Sequence, residues 1–458
     1  MYRKIFVFSI LVLFLFTSIA FSEIVINDDY GKVVFDKLPQ RIISLYGAHT
    51  ENLFYLGAGN KLVGVSIHED YPPPATCKTA LSYKDDPEKF LALSPDLVLV
   101  RRFVANRYPN LIKQLKEAGV KVVSLSPQNL DDFYKYLVTL GKITGKEKEA
   151  EELIAQFRKK IEEVKEKTKN VKNKKRIFFE SIGKDISTTT PNSITAQLLD
   201  IIGAINIAKN AKAKSPGSRI ASFGIERLLD VADKIDIYIA QKGVMNRVKL
   251  RSIYERPGFA EIKAVKEGKV YIIDEKIVSR PTMRLLWGIE ELGKIIYPEI
   301  FCDLSSFKKE SIIKRGEAAY MFVMGLCLPL YVPNYKSYIK KKVYKYGSIK
   351  DVPWTHPYSR YIETLAARGI VKINNKFHPN KPITRECIAK WLYMVFDFPE
   401  NKNIKILDLD KCKYKFEVQT IINASVMHLK NGKFEPQEEI SGKELVEILK
   451  RAREIGKK

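Results

Sequence analysis

Only five cysteines, Cys77, Cys302, Cys327, Cys387 and Cys412, occur in 458 residues, and they are scattered and odd in number. Neither a disulfide framework nor a zinc-ligand spacing follows from them, although they leave room for one bridge. Beyond the N-terminal residues no segment reaches membrane-spanning length without charges, so the mature chain is expected to be soluble. Catalytic signatures are missing as well: there is no H-E-x-x-H, no G-x-S-x-G and no G-x-x-x-x-G-K phosphate loop. Acidic residues are scarce beside basic ones, 53 against 78, and the net charge is +25.

That charge is unevenly spread. From Asp303 to Lys458 there are 30 Lys and Arg against 17 Asp and Glu, an excess of 13, which leaves +12 for the first 302 residues. Twice the charge density in the tail implies a polyanionic partner. The densest stretch, Tyr335 to Lys350, interleaves Tyr335, Tyr338, Tyr344 and Tyr346 with Lys336, Lys340, Lys341, Lys342 and Lys345. It reads either as part of such a contact or as a solvated linker.

The chain opens with Met1-Tyr2-Arg3-Lys4, an apolar run from Ile5 to Phe16, and small residues at Ala20 and Ser22. This is the pattern of a secretory signal peptide over residues 1–22, with cleavage expected before Glu23. For an exported protein, anionic wall polymer or lipid headgroup is a more accessible polyanion than nucleic acid. No cysteine lies near the junction, so a lipid anchor has no attachment point there and retention by other means is expected.

Ile24 to Ile26 and Val33 to Phe35 flank turn residues Asn27 to Gly31, predicting a hairpin. Strands are then expected at Arg41 to Leu45, Leu62 to Ser66, Asp96 to Val100 and Lys121 to Leu125. Between them, helices are expected at Glu51 to Leu56, Lys89 to Leu93 and Leu111 to Ala118. Such alternation implies a parallel sheet covered on both faces. Lys146 to Lys169 contains neither Gly nor Pro and repeats Leu153, Ile154, Phe157, Ile161 and Val164 at helical spacing, which predicts one long helix able to bridge two lobes. The alternation resumes at Arg176 to Glu180, Ile194 to Ile202, Ile225 to Val231, Ile235 to Ala240 and Val270 to Ile273.

Several segments, in this order, carry a resemblance. Pro39-Gln40-Arg41-Ile42-Ile43-Ser44-Leu45, Leu56-Gly57-Ala58-Gly59, Asp70-Tyr71-Pro72-Pro73, Leu93-Ser94-Pro95-Asp96-Leu97-Val98, Gly203-Ala204-Ile205-Asn206 and Arg280-Pro281-Thr282-Met283-Arg284 together resemble the periplasmic binding proteins for cobalamin, haem and ferric siderophores. The likeness covers residues 23 to 300. It implies an α/β fold of two similar lobes with parallel sheets, joined by one long helix, with the ligand in the cleft between them. The boundaries expected are 23–145 for the first lobe, 146–169 for the bridging helix and 170–302 for the second lobe, followed by a small, mostly helical repeat domain at 303–458.

The family docks one exposed glutamate per lobe onto arginines of a membrane permease, and Glu88 and Glu226 occupy those positions here. Residues expected at the cleft are His68, Tyr83, Arg101, Arg102, Arg280 and Arg284. Arginine forks suit carboxylates, as on haem propionates or acidic siderophores, while Tyr and His stack on a macrocycle or ligate iron. Ser82-Tyr83 and Ile277 stand where cobalamin binders place tryptophan, which puts cobalamin in doubt.

The tail repeats itself at a shift of 57 positions. Asp351 returns as Asp408, Lys376-Phe377-His378-Pro379 as Lys433-Phe434-Glu435-Pro436, and Ile383-Thr384 as Ile440-Ser441. Thr384 and Ser441 are natural N-caps for the helices that follow. A partial first unit begins at Ile313-Lys314-Arg315. The unit from Asp351 to Glu386 resembles the S-layer homology repeat, a family that binds anionic wall polysaccharide; Arg385, and Arg315 in the first unit, stand where the family's polymer-contacting arginine does. Gly442 in the third unit and Pro357 after His356 depart from the pattern.

These readings combine into an exported capture component of an ABC importer. It would hold an iron chelate, haem or corrinoid, with no intrinsic cofactor, and pass it to a permease in the cytoplasmic membrane. Its tail would tether it to anionic wall polysaccharide, and no nucleic acid partner is expected. An envelope chelate-processing enzyme and a structural S-layer-associated protein are the alternatives from other classes.

Overall fold

The computed structural model describes residues 23–307, 310–335, 348–373, 375–399 and 403–456. The expected signal peptide and residues 336–347 of the lysine- and tyrosine-rich stretch lie outside the described residues. No helix among the described residues is long and apolar enough to cross a membrane.

Strands β1 (Ile24–Asp28) and β2 (Gly31–Phe35) form the expected hairpin, with Asp28 opposite Gly31. Asp28 accepts from the Tyr30 N–H, and Gly31 takes a φ of +132°, open to glycine and strained for any other residue. Five strands make the first sheet: β3 (Ile42–Ser44), β4 (Leu62–Ser66), β5 (Thr79–Leu81), β6 (Leu97–Val100) and β7 (Lys121–Ser124). They are all parallel in the order β5-β4-β3-β6-β7. The short strand β5 is an addition to the sequence expectation.

The second lobe holds β8 (Arg176–Glu180), β9 (Ser187–Thr189), β10 (Ile205–Asn206), β11 (Lys212–Ala213), β12 (Ile220–Ser222), β13 (Ile237–Lys242) and β14 (Val270–Asp274). Four of them form a parallel sheet, β10-β8-β13-β14. The other three form an antiparallel sheet, β11-β12-β9, that the sequence reading did not contain. The lobes are therefore similar without being copies.

The long helix spans Glu147–Thr168 and buries Ala150, Ile154, Phe157, Ile161, Val164 and Thr168, alternating four- and three-residue steps along one stripe. That stripe packs on a helix the sequence reading passed over, Leu130–Thr144, where Phe133 and Phe157 meet edge to face at 5.4 Å. It also packs on the second lobe's Ile194–Ile202 helix, so one element touches both lobes.

In the tail, three backbone segments close a ring. The N–H of Ile313 donates to the Ile440 carbonyl (3.1 Å), that of Ile383 to Ile313 (3.2 Å) and that of Ile440 to Ile383 (3.0 Å). Each isoleucine leads into a helix: Arg315–Gly325, Arg385–Tyr393 and Gly442–Ile455. The repeat read in the sequence recurs in the hydrogen bonds. Asp351 accepts from the N–H groups of Phe377 and His378 (2.7 and 2.8 Å), and Asp408 from those of Phe434 and Glu435 (2.6 and 2.9 Å). His378 and Glu435 share a φ of +57°. Ser441 caps its helix as expected, whereas Thr384 holds the cap position without making the side-chain bond.

The tail is built onto the lobes. A disulfide joins Cys302 to Cys327, Arg360 and Tyr361 bond Glu290, and Lys294 donates to the Leu328 carbonyl. Tyr335 and Trp354 pack their rings on Tyr71 of the first lobe, at 6.0 and 5.8 Å. One hydrophobic cluster consequently runs from Ile26 in the hairpin to Ala452 in the last helix.

Candidate ligand-binding cleft

In the first sheet, β3 and β6 are neighbours from which the chain departs in opposite directions, and an open α/β sheet leaves a crevice beyond the carboxyl ends of such strands. Tyr46 follows β3 there, Arg101 follows β6, and Ser126 to Gln128 follow β7. A cavity of about 460 Å³ separates them from the second lobe's loop Ser215 to Ile220 and from Pro281. Arg102, Phe103 and Arg219 complete its wall, which contains no Asp or Glu.

Arg101 is positioned from below. The fully buried His49, in the helix Gly47–Tyr55, bonds the Val100 carbonyl through Nε2 (2.8 Å) and the Tyr136 hydroxyl through Nδ1 (2.6 Å). A carbonyl only accepts, so Nε2 carries the proton and Nδ1 accepts from the tyrosine. Burial lowers the His49 pKa to about 4, keeping the ring neutral. The Arg101 guanidinium then lies over the Tyr46 and Phe103 rings at 4.9 and 5.2 Å. Cation–π contacts engage none of its five N–H donors. Arg102 differs: it pairs with Asp29 at 3.3 Å, its own N–H donates to Ser126, and a Cβ at Gly217 would stand 4.0 Å from its guanidinium.

Of the residues expected at the cleft, Arg101 and Arg102 line it and four do not. His68 is exposed beyond β4 and its N–H donates to Ser66. Tyr83 is half-buried against Tyr108 and Phe103, behind the cavity wall. Arg280 and Arg284 belong to the junction between the lobes, a correction with a clear electrostatic reason. Arg284 is fully buried and donates to both oxygens of Glu51, with its Nε 2.8 Å from Oε2, and Arg280 reaches the same carboxylate at 2.9 Å. Both are thus paired with the Glu51 carboxylate, and neither lines the cavity.

This junction sets carboxylates of the first lobe, Glu51, Glu69 and Asp70, against cations of the second, Lys276, Arg280 and Arg284. Lys276 meets Asp70 at 2.5 Å. Gly47 is needed for the approach, since a Cβ there would lie 2.7 Å from the Arg280 guanidinium. Burial would depress the Arg280 pKa, but Glu51 and Asp70 outweigh it and hold it above its usual value. For Glu69 burial wins over the attraction of Arg280 and raises its pKa to about 8. Sequence reasoning missed His49, Glu51 and Arg219.

In the tail, a groove of about 380 Å³ is lined by Arg315, Lys372, Lys376, Lys390 and Lys413, with Trp391 and Tyr414 among them. Lys390 lies 4.6 Å over the Tyr414 ring. Arg385 is instead almost wholly buried, donating to the Phe434 and His428 carbonyls and pairing with Glu444. Of the two arginines expected to contact polymer, only Arg315 lines the groove.

The periplasmic binding protein model matches residues 42–277, and an S-layer homology domain matches residues 348–386. The chain belongs to the periplasmic binding protein family. An uncharacterised ABC transporter substrate-binding lipoprotein of Bacillus subtilis is 32% identical over 275 residues, covering 59% of this chain and 83% of that one. The vitamin B12-binding protein of Vibrio cholerae is 25% identical over 256 residues, 55% of this chain and 87% of its own. Among solved structures, a possible iron-binding periplasmic solute-binding protein from Staphylococcus epidermidis aligns with a TM-score of 0.51 and 29% identity, covering 57% of this chain and all of that one.

As a periplasmic binding protein the chain has its family match over both cleft walls, from β3 through Arg219 and on to Ile277. Glu88 and Glu226 are exposed in the first turns of Pro87–Leu91 and Ile225–Leu229, and neither carboxylate has a partner among the described residues.

The two shifted buried groups set a pH window. His49 titrates near 4 in the folded chain and near 6.5 when exposed, so its contribution is complete above 6.5 and is lost as pH falls toward 4. Glu69 runs the other way: its contribution is complete below 4.5 and is lost as pH rises toward 8. Between 4.5 and 6.5 the two oppose each other, and above 6.5 Glu69 acts alone. Denaturant unfolding at pH 5.5 and pH 8 should show a net alkaline loss of stability of ~2 kcal/mol, the Glu69 share of about 3 kcal/mol in that range less the roughly 1 kcal/mol that His49 regains up to pH 6.5. Glu69→Gln should remove that loss, and an equal decline in the variant would refute the assignment.

Proposed function

We propose that this chain captures a metal chelate in the cleft between its lobes and delivers it to an ABC permease, while the C-terminal repeats hold it to the wall. The observation that carries the first part is the cavity walled by Arg101, Phe103 and Tyr46 on one side and by the Ser215 to Ile220 loop on the other. Two lobes can cover most of a ligand between them, and a cavity of this size suits a small molecule. The vitamin B12-binding relatives and the possible iron-binding one support a chelate as cargo.

A thermal-shift screen of the mature chain against haem, corrinoids and ferric siderophores tests this directly. A ligand at about 100 times its dissociation constant adds about 2.7 kcal/mol of stability. One class should raise the melting temperature, whereas silence across all three overturns capture.

Glu88 and Glu226 serve as the docking charges for the permease, one from each lobe. Two separated charges set orientation more than affinity. Reversing both to Lys should abolish uptake in cells and leave ligand binding intact; unchanged uptake would remove them from the interface.

The tail groove joins cations to aromatic rings, a combination suited to an acidic polysaccharide, and the S-layer homology match supports that partner. The full mature chain should sediment with purified cell-wall sacculi and be released by salt. Arg315→Gln with Lys390→Gln should lower the bound fraction several-fold. A chain that stays in the supernatant contradicts tethering by this groove.

A further inference from the structure

Two arginines in the cleft, one from each lobe, remain open to a ligand. Arg102 is already balanced by Asp29. Arg101 and Arg219 line the same 460 Å³ cavity, and among the described residues neither side chain has a carboxylate partner. Arg101 is held by its cation–π contacts on Tyr46 and Phe103, which leave its N–H donors free. Arg219 has a fixed backbone and an uncommitted side chain. Its carbonyl accepts from Thr190 (2.9 Å), and the preceding turn is closed by the Ser218 N–H on the Ser215 carbonyl (3.0 Å). Gly217 in that turn has a φ of +72°.

We infer that the cargo is an anionic, carboxylate-bearing chelate whose acid groups are gripped from both lobes at once, by Arg101 and by Arg219. The inference rests on the capture reading and narrows it. Enclosing two cations in a cleft without an acid of its own is unfavourable unless the ligand supplies the opposite charge. A chelate lacking carboxylates offers the two guanidinium groups only weaker acceptors, such as hydroxamate or amide oxygens, which offset less of their desolvation than a carboxylate does. Because the two arginines come from different lobes, the spacing of the ligand's carboxylates is read along with its charge.

The test is equilibrium binding of four probes to the full mature chain: haem, ferric citrate, a ferric trihydroxamate without carboxylates, and cyanocobalamin. Haem or ferric citrate should bind. Arg101→Gln and Arg219→Gln should each weaken that binding by about 10-fold to 100-fold, the range of a charge-assisted hydrogen bond. Both unliganded variants should melt close to the parent chain, because neither arginine has an internal carboxylate partner. Binding of the trihydroxamate or cyanocobalamin that both variants leave unchanged would overturn the two-arginine grip while preserving capture. Binding of a carboxylate probe that neither substitution weakens would also overturn it, and failure of all four probes would overturn it together with the capture reading.

Discussion

The contact between Glu51 and the arginines of the second lobe ties the two lobes together across a buried ion pair. Arg284 is fully buried: Glu51 accepts from its Nε and Nη2, Nη1 has no hydrogen-bond partner among the described residues, and the centroid of the Tyr71 ring lies 4.4 Å from its guanidinium carbon. A buried ion pair of this kind is weak evidence for stability, because desolvation offsets much of the attraction, but separating its partners strands a charge and costs about 3–5 kcal/mol. What the pair supplies is therefore a penalty on relative movement of the lobes. Lys276 on Asp70 and the Asn52 amide on the Pro281 carbonyl act in the same sense. Pro281 also lines the cavity, so the junction and the ligand site share a backbone segment.

The tail enters at the same place. Tyr71 receives Arg284 on one side and the rings of Tyr335, Trp354 and Trp287 around it. Tyr335 also donates its N–H to the Asp70 carbonyl, and its hydroxyl donates to Glu363 in the helix Ser359–Ala367. A repeat domain attached only by a flexible linker would share none of these contacts. Here the second lobe's helix Leu285–Ile296 supplies Glu290, Glu291 and Lys294 to tail residues, and the Cys302–Cys327 disulfide adds a covalent tie. Tail and lobes thus form one packed body, in which the tail groove and the cleft hold a set orientation.

Much of the architecture was legible because it rests on local patterns. Leu97 to Val100 is a short apolar run punctuated by Ser94-Pro95, and it became a buried parallel strand; the 57-residue repeat reappeared as two aspartates making the same pair of backbone bonds. The helix Leu130–Thr144 was equally legible, with Leu130, Phe133, Leu137 and Leu140 at helical spacing, an Asn129 cap and Gly145 at its end, and was overlooked. The site was harder to read for a physical reason. Whether an arginine is open or committed depends on a partner that can lie far along the chain, and Arg284 and Glu51 are 233 residues apart. Arg280 and Arg284 thus read as ligand-binding although each is neutralised internally. Arg219, in an irregular loop that a β-strand reading skips, has no carboxylate partner among the described residues. The disulfide is hidden likewise, since five cysteines do not name their own pairs.

Two cationic surfaces in one chain raise the question of how each avoids the other's partner. The tail groove is open, and Lys372, Lys376 and Lys413 on it are exposed, so their attraction for a polymer is screened over about 8–10 Å at physiological salt. Useful retention there requires many weak contacts along a repeating polyanion, which is what a linear polysaccharide offers and a single chelate does not. The cleft is the converse case. Arg101 and Arg219 are partly buried, where each charge is screened less than an exposed one. The cleft's volume of about 460 Å³ is of the order that encloses a small molecule. Under the proposed function the same sign of charge would serve two different anions, the groove by repetition and the cleft by enclosure.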